Sequence, residues 1–367
     1  MSGVLIVKPG SRRILYVAYP LLPVNESSSG GAEQVLVNLE RELSDKGWST
    51  TLAACAGSQA CGGVFATGAA GKGALDTVQE HEQRHARKIL ELISIREAIG
   101  RNFELIHDHS GSFFQHADEC EAPVLATLHL PRSFYRQDVF AKAPENLFFN
   151  CVSASQAADF AHVPRMLGAV ANGIALERFK LETRKQNHLL WLGRICQEKG
   201  THIALDVAEK AGMPVVIAGK VYPLAYHQQY FEREIIPRLE RMGAQARFVE
   251  SPSFADKVSL LRGARTVLIP SLAQETSSLV AMEAAACGTP VIAFRRGALG
   301  EVVSQDETGL LVNDMGQMVQ AVARVGRIKP KTCHDYAQQN FSARRMASEY
   351  TQLYETVLSG KVQFQAA

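Results

Sequence analysis

One stretch in the C-terminal third of the chain constrains the fold most strongly, because two short apolar segments enclose a helix pattern. Residues 266–270 and 291–294 are apolar and short, as buried strands are. Between them, Ser277 or Ser278 can cap a helix that begins near Leu279 and ends at a glycine. This order predicts a βαβ unit of a parallel sheet. Its polar loop lies at the carboxyl end of the first strand, where such sheets bind ligands.

Two glutamates belong to this predicted unit. Glu275 lies in the loop before the helix, and Glu283 lies inside the helix. A carboxylate that faces a helix N-terminus can accept hydrogen bonds from hydroxyl groups, and one within the helix can hold a diol such as a ribose. Two glutamates eight residues apart also fit a solvated helix face, so the spacing alone leaves both interpretations open.

A second polar segment follows the apolar strand pattern of residues 189–193. It contains Arg194 and Lys199 and leads into a helix pattern that begins at Thr201. The strand–loop–helix order places both cations at the same sheet edge as Glu275. Two cations beside a helix N-terminus suit a leaving diphosphate, because they stabilise its developing negative charge. An exposed basic turn is the alternative.

The first half of the chain offers two weaker signals. Gly30 and Gly31 precede a helix pattern and follow a long polar loop after the apolar segment 13–18. Paired glycines at a helix N-terminus let main-chain N–H groups approach a diphosphate, although they are also common in plain turns. His129 follows the apolar segment 123–128 at the carboxyl end of a predicted strand. A single histidine at a strand end is most often a hydrogen-bonded polar group without a further role.

The composition is that of a globular protein with two domains. The chain has 367 residues, of which 46% are hydrophobic and 21% are charged. Its seven cysteines form no Cys-x-x-Cys pair, which predicts a reduced, cytoplasmic protein. The first residues do not resemble a signal peptide, and no stretch reaches the ~18 apolar residues of a membrane span.

The charge pattern argues against two classes of partner. The formal net charge is +2, and the basic surplus lies in the second half of the chain. No polybasic run is present that would bind nucleic acid or an anionic membrane surface. The residues give no prediction of the oligomeric state.

Two segments are predicted to be solvated. His81, Glu82 and His85 fit the His-Glu-x-x-His pattern of zinc helices, but their polar neighbours favour a solvated charged turn. Residues 222–241 are predicted to form a long charged helix with a solvated face. No metal site is therefore expected in the chain.

Three motifs resemble one known family. They are Gly-Gly-Ala-Glu at 30–33, Gly-Arg-x-x-x-Glu-Lys-Gly at 193–200, and Glu-x7-Glu from Glu275 to Glu283, followed by Gly-Thr-Pro-Val-Ile-Ala. Together they resemble the retaining, nucleotide-sugar-dependent glycosyltransferases of the GT-B fold, in the family often numbered four. One departure is the run at 276–278, Thr-Ser-Ser, where that family commonly has small residues such as Gly-Phe-Gly.

The resemblance implies an α/β protein of the GT-B class, in which two Rossmann-like, doubly wound domains face each other across a cleft. Residues 1–172 would form the acceptor-side domain and residues 173–345 the nucleotide-sugar domain. Residues 346–367 would form a helix that returns to the first domain.

The resemblance also implies roles for individual residues. Arg194 and Lys199 would hold the donor phosphates, and Gly31 would lie against the phosphates and the transferred sugar. His129 would reach the transferred sugar. Glu275 would lie on the same side and is the candidate for electrostatic stabilisation of the reacting sugar. The resemblance implies five further donor-binding residues. Four lie at the two helix starts, Gly30, Ser277, Ser278 and Leu279, and the fifth, Glu283, would contact the nucleoside.

The implied activity is transfer of a sugar from a UDP- or GDP-sugar to a hydroxyl acceptor, with retention of configuration and without a metal. The chain contains no Asp-x-Asp sequence to hold a diphosphate-bound cation. Two alternatives stay open from the sequence. One is another enzyme of the same fold, such as a nucleotide-sugar epimerase or a phosphorylase. The other is a non-catalytic protein that binds sugar nucleotides.

Overall fold

The computed structural model describes residues 12–28, 30–70, 78–141 and 143–360. The chain divides into two compact units. One unit contains the chain as far as Gly173 and again from Ala343, and the other is Ile174–Ser342. Among the described residues, no helix has both the length and the apolar character needed to cross a membrane.

The first unit is built on a seven-stranded sheet in which every pair of neighbouring strands is parallel. Its strand order is β3-β2-β1-β4-β5-β6-β7. The strands are β1 Arg13–Val17, β2 Ser49–Ala54, β3 Gly63–Ala66, β4 Leu105–Asp108, β5 Val124–Leu128, β6 Leu147–Cys151 and β7 Met166–Ala169. The helices are α1 Gly31–Asp45, α2 Val78–Ala98, α3 Ala154–Asp159 and, from the end of the chain, α12 Ala343–Leu358.

The second unit is built on a six-stranded sheet, also parallel throughout, in the order β10-β9-β8-β11-β12-β13. The strands are β8 Leu189–Arg194, β9 Val215–Lys220, β10 Ala246–Glu250, β11 Thr266–Ile269, β12 Val291–Phe294 and β13 Gly309–Val312. The helices are α4 Thr201–Ala211, α5 Ala225–Tyr230, α6 Ile236–Met242, α7 Phe254–Gly263, α8 Leu279–Ala286, α9 Leu299–Val302, α10 Met315–Arg324 and α11 Pro330–Asn340.

The strand order of the second sheet determines where a ligand can bind. Strands β8 and β11 are neighbours, but the chain continues from β8 towards β9 and from β11 towards β12. The connections that start at the ends of β8 and β11 therefore run towards opposite edges of the sheet, and a crevice remains at the carboxyl ends of these strands, as in other doubly wound sheets. The predicted segments around Arg194 and Glu275 are these two loops.

The predicted βαβ unit is present and lies in the core. Strands β11 and β12 pair in register, with Val267 opposite Val291, and both are largely buried. Helix α8 is buried from Ala281 to Ala286 and has no polar face, because it packs against both α7 and α11. Gly288 closes the helix with a φ of +72°, which a residue with a side chain rarely adopts.

Two predictions of solvated segments were wrong. On α2, His85 is 2% exposed, because it shares one helix face with the buried Ile89 and Ile93 at intervals of four residues. Its Nδ1 lies 2.6 Å from the hydroxyl oxygen of Thr67. The charged stretch 222–241 is not one solvated helix either.

That second stretch forms α5, a π-helical turn at Phe231–Ile235 and α6. It buries Tyr230 and Ile235 where α4 packs against the stretch, and it buries His227 beside Cys196 and Glu198. A one-turn π-helix changes which side chains face inward. A simple helical period therefore could not identify the buried positions.

Candidate active site

The loop after β8 and the loop after β11 touch through main-chain atoms. Gly200 ends the first loop with a φ of +66°, and a Cβ at this position would lie 2.1 Å from the carbonyl oxygen of Pro270. The carbonyl oxygen of Glu198 accepts hydrogen bonds from the N–H of Leu272 at 2.8 Å and from the hydroxyl of Ser271 at 3.2 Å. These contacts fix the two loops against each other at the crevice.

The predicted cation and carboxylate of this crevice are paired. Lys199 Nζ lies 2.7 Å and 2.8 Å from the two carboxylate oxygens of Glu275. The lysine side chain is 33% exposed and the glutamate side chain 10%. Arg194, the second predicted cation, makes a more exposed pair with Glu198, with Nη2 3.1 Å from Oε1. The structure therefore brings together the residues that the two motifs predicted at one edge of the sheet.

The main chain of Glu275 is held by the segment that follows β12. The N–H of Ala298 donates to the carbonyl oxygen of Glu275 at 2.7 Å. A Cβ at Gly297 would lie 2.2 Å from the same oxygen, so only glycine allows this approach. The close approach of Gly297 to the main chain of Glu275 was not predicted from the sequence. Its only sequence signal is a glycine shortly after the strand that follows the glutamate motif.

The start of α8 lies beside this loop. Ser278 is the N-cap, and its hydroxyl accepts a hydrogen bond from the N–H of Ala281 at 3.3 Å. The hydroxyl of the preceding residue, Ser277, is buried and has no hydrogen-bond partner within the described chain. Leu279 is the first helical residue. A helix start with exposed N–H groups attracts negative charge.

Glu283 is more enclosed than a solvated helix face would allow. The residue is 2% exposed, and its Oε1 accepts a hydrogen bond from Lys257 Nζ at 2.6 Å. Lys257 comes from α7, and its ammonium group also lies 5.1 Å from the ring centroid of Phe254. Lys257 was not predicted as a site residue, because a single lysine in a short helix carries no local signal of a buried partner.

In the first unit, Gly30 and Gly31 stand at the start of α1, as predicted from the glycine pair. Gly30 is the N-cap, and Gly31 is the first helical residue. The carboxylate of Glu33 folds back over this start, since a Cβ at Gly30 would meet its Oε2 at 1.9 Å. Burial raises the pKa of Glu33 above its ordinary value.

His129 is the end of a chain of three hydrogen-bonded histidines. Its Nε2 lies 2.9 Å from Nδ1 of His109, whose Nε2 lies 3.2 Å from Nδ1 of His107. That Nδ1 is also 2.6 Å from the hydroxyl of Tyr354 on α12. Burial lowers the pKa of all three histidines, that of His129 to about 4. The three histidine rings are therefore uncharged at neutral pH.

The hydrogen bonds assign the tautomers of this chain. Thr127 donates its hydroxyl hydrogen to Oδ1 of Asn150, so it accepts from the Nε2–H of His107 at 2.7 Å. Nδ1 of His107 is then an acceptor, which requires His109 to carry its hydrogen on Nε2. Nδ1 of His109 accepts in turn, and His129 donates from Nε2. All three rings thus carry their hydrogen on Nε2.

The described residues contain one group of three potential metal ligands, which are Cys196, Glu198 and His227. The pattern from His81 to His85 does not form such a group within the described chain.

Comparison with known proteins matches the second unit to a family. Residues 186–327 match the family model described as glycosyl transferases group 1. A D-inositol 3-phosphate glycosyltransferase of Saccharomonospora viridis is 28% identical over 227 residues, which are 53% of this chain and 51% of that protein. The chain spans about half the length of the curated relatives that it matches.

Solved structures align over nearly the whole chain. The alignment with sucrose-phosphate synthase from Thermosynechococcus elongatus covers 95% of this chain and 100% of the synthase chain, with 19% identity and a TM-score of 0.80. The alignment with Anabaena HepE in complex with UDP-glucose covers 94% of this chain and 99% of the HepE chain, with 16% identity and a TM-score of 0.71. With the two parallel sheets, these likenesses confirm the predicted GT-B class of fold.

Proposed function

We propose that this chain, whose residues 186–327 match the family model described as glycosyl transferases group 1, transfers a sugar from a nucleoside diphosphate sugar to a hydroxyl acceptor. The observation that carries the proposal is the pair of Lys199 and Glu275 at the crevice between β8 and β11. In this proposal, the cation of the pair would serve the phosphates and the adjacent carboxylate would serve the sugar. The start of α8 adds N–H groups that favour an anion.

The proposed donor is a UDP- or GDP-sugar. Arg194 and Lys199 would contact the diphosphate and stabilise the charge that develops on it as the glycosidic bond to the sugar breaks. The N–H groups near Ser277, Ser278 and Leu279 would add to that stabilisation. A protein of the same fold is solved with UDP-glucose, which supports a nucleotide sugar as the class of donor.

The two glutamates are proposed to contact different parts of the donor. Glu275 would face the transferred sugar, where its carboxylate stabilises the positive charge that grows at the anomeric carbon. Glu283 would accept hydrogen bonds from the ribose. Its pair with Lys257 holds the carboxylate in place and offsets part of the cost of burying it.

For the first unit, we propose that His129 contacts a hydroxyl group of the transferred sugar. The main-chain N–H groups at Gly30 and Gly31 would contact the donor phosphates at the start of α1. Transfer is proposed to proceed with retention of configuration, by front-face attack in which the leaving phosphate helps to take the proton of the acceptor. Added Mg²⁺ or Mn²⁺ would not be required, because Arg194, Lys199 and the N–H groups at the helix starts would together stabilise the charge of the diphosphate.

The experiment is a screen followed by product analysis. Thermal shift measurements with nucleoside diphosphates and nucleotide sugars identify the donor, because a ligand that binds only the folded state raises the unfolding temperature. The radiolabelled donor is then incubated with candidate hydroxyl acceptors. A new glycoside is the expected product. Release of a free epimer or a sugar phosphate, with no glycoside from any acceptor, would contradict the proposal.

A further inference from the structure

Three side chains of different chemistry converge beside the loop that follows β8. Cys196 and Glu198 belong to this loop, and His227 lies on α5. The thiol sulfur, a carboxylate oxygen and an imidazole nitrogen all lie within 4.8 Å of one another. Cys196 and His227 are buried, and Glu198 is half-buried. The group is therefore enclosed on most sides by protein.

His227 provides an independent observation that points to a missing partner. The residue is 0% exposed, and neither of its ring nitrogens has a hydrogen-bond partner in the described chain. A neutral imidazole has one donor and one acceptor, and burying both without partners is unfavourable. The ring is held by aromatic contacts, with its centroid 4.1 Å from that of Tyr226 and 6.0 Å from that of Tyr222.

We propose that Cys196, Glu198 and His227 bind a zinc ion. Thiolate, imidazole and carboxylate are the ligands that Zn²⁺ takes, whereas Mg²⁺ and Mn²⁺ prefer oxygen ligands alone. In a tetrahedral zinc site, neighbouring ligand atoms lie roughly 3.5 Å apart. The three candidate ligand atoms lie within 4.8 Å of one another, so each pair has to close by at most about 1.3 Å to reach that geometry. Three protein ligands leave a fourth position for water or another small ligand.

The charges of the site match a divalent cation. The zinc ion displaces the proton of the Cys196 thiol, which is released to solvent, and a zinc–sulfur bond forms. The thiolate and the carboxylate of Glu198 together carry two negative charges, so the loaded site is neutral. This neutrality matters, because Arg194 pairs with Glu198 and adds a positive charge close by. The proposal rests on this geometry and not on the proposed transfer reaction, and it revises the expectation of a chain without metal.

The test measures zinc directly on the full chain without any substrate. Protein purified over a weak chelating resin is analysed for bound metal and titrated with Zn²⁺ in competition with a chromophoric chelator. One zinc ion per chain is expected. The variants Cys196→Ser and His227→Gln should each weaken zinc binding at least tenfold, since even indirect supports of a metal site have effects of about this size. Replacement by Co²⁺ should give a thiolate-to-metal absorption band that Cys196→Ser abolishes.

Two further variants keep the proposal falsifiable. Cys61 is the exposed cysteine, and Cys61→Ser should retain full zinc binding, which excludes adventitious binding at the surface. If His227→Gln fails to fold, the half-buried Glu198→Gln provides the same measurement with less disturbance of the core. Absence of stoichiometric zinc, or equal zinc binding by Cys196→Ser, would overturn the proposal. Because the readout is metal content, failure of sugar transfer would leave this result unaffected.

Discussion

Lys199 and Glu275 form an ion pair in which one ammonium group contacts both oxygens of the carboxylate, at 2.7 Å and 2.8 Å. The pair joins the loop after β8 to the loop after β11. In the proposed reaction, the lysine serves the leaving phosphate and the glutamate serves the sugar. Each of the two residues therefore also supplies the counter-charge that holds the other in position.

The pair should be measurable as a coupling in stability. Lys199→Met and Glu275→Gln are each expected to destabilise the protein, and the double variant should lose less than the sum of the two. The partial exposure of the lysine limits the expected coupling energy to about 1 kcal/mol. Urea unfolding of the four proteins measures it. Strictly additive losses would show that the pair makes no net contribution.

The two central glutamates should affect different kinetic constants. Glu283→Gln would remove the proposed ribose contact, which is made equally in the ground and transition states, so it should raise KM for the donor and weaken nucleoside diphosphate binding. Glu275→Gln would remove the proposed sugar contact, which strengthens in the transition state, so it should mainly lower kcat. Steady-state kinetics and calorimetry of both variants make the comparison. The reverse pattern would reject the assignment.

Glu283→Gln needs a control for stability. It leaves the ammonium group of Lys257, on a side chain that is 14% exposed, without its carboxylate partner, at a cost of about 3 kcal/mol. The double variant with Lys257→Met removes that unpaired charge. It should recover much of the stability and still bind the nucleoside diphosphate weakly. Recovery of affinity along with stability would mean that Glu283 acts through the fold alone.

Arg194 should contribute directly to nucleotide affinity. Arg194→Ala is expected to weaken nucleoside diphosphate binding by about 1.5–3 kcal/mol, the range for hydrogen bonds to charged groups. Isothermal titration calorimetry measures the change. Arg241→Ala is the matched control, because Arg241 pairs with Glu209 on the helical face of the same unit. Equal affinities for the two variants would remove Arg194 from the donor site.

The burial of His85 should appear in the pH dependence of stability. Burial lowers its pKa to about 4, against about 6.5 in the unfolded chain. The neutral ring therefore contributes stability that is fully present above pH 6.5 and is lost as the pH falls towards 4. His85→Gln should reduce the slope of unfolding free energy against pH by up to about 1.4 kcal/mol per pH unit in that window. Urea unfolding at pH 7.5, 6.5, 5.5 and 4.5 gives both slopes, and identical slopes would contradict the prediction.

The assigned tautomers can be read from nitrogen chemical shifts. NMR spectra of protein with ¹⁵N-labelled histidine should show His107, His109 and His129 as neutral rings with hydrogen on Nε2 at pH 7. The variants His107→Gln and His129→Gln assign the signals. If any of these three histidines carries its hydrogen on Nδ1, the donor and acceptor roles inferred from the contacts of Thr127 are wrong.

Local sequence signals were sufficient for the scaffold of the second unit. The apolar runs of β8, β11 and β12, the N-cap at Ser278 and the helix end at Gly288 all have local causes, which are burial on both sheet faces, capping and a positive φ. The same signals placed Lys199 and Glu275 at one sheet edge, because the carboxyl ends of parallel strands meet there.

Pairs between distant elements could not be predicted in the same way. The partner of Glu283 is Lys257, which depends on how α7 packs against α8. His85 and His227 are single polar residues on inward faces, so they are indistinguishable by residue type from their solvated neighbours. Local residue types carry little information about such tertiary burial.

The main-chain clamp on Glu275 bears on how donor selectivity can change. The N–H of Ala298 holds the carbonyl of Glu275, Gly297 leaves room for that approach, and Lys199 holds the carboxylate. None of these contacts uses a side chain of the three residues that follow Glu275. If Glu275 faces the transferred sugar as proposed, exchanges at positions 276 and 277 would change the surroundings of the sugar without removing these contacts or the N-cap at Ser278. This separation makes the segment a suitable target for libraries that retune the enzyme towards new donors, with Gly297 kept constant.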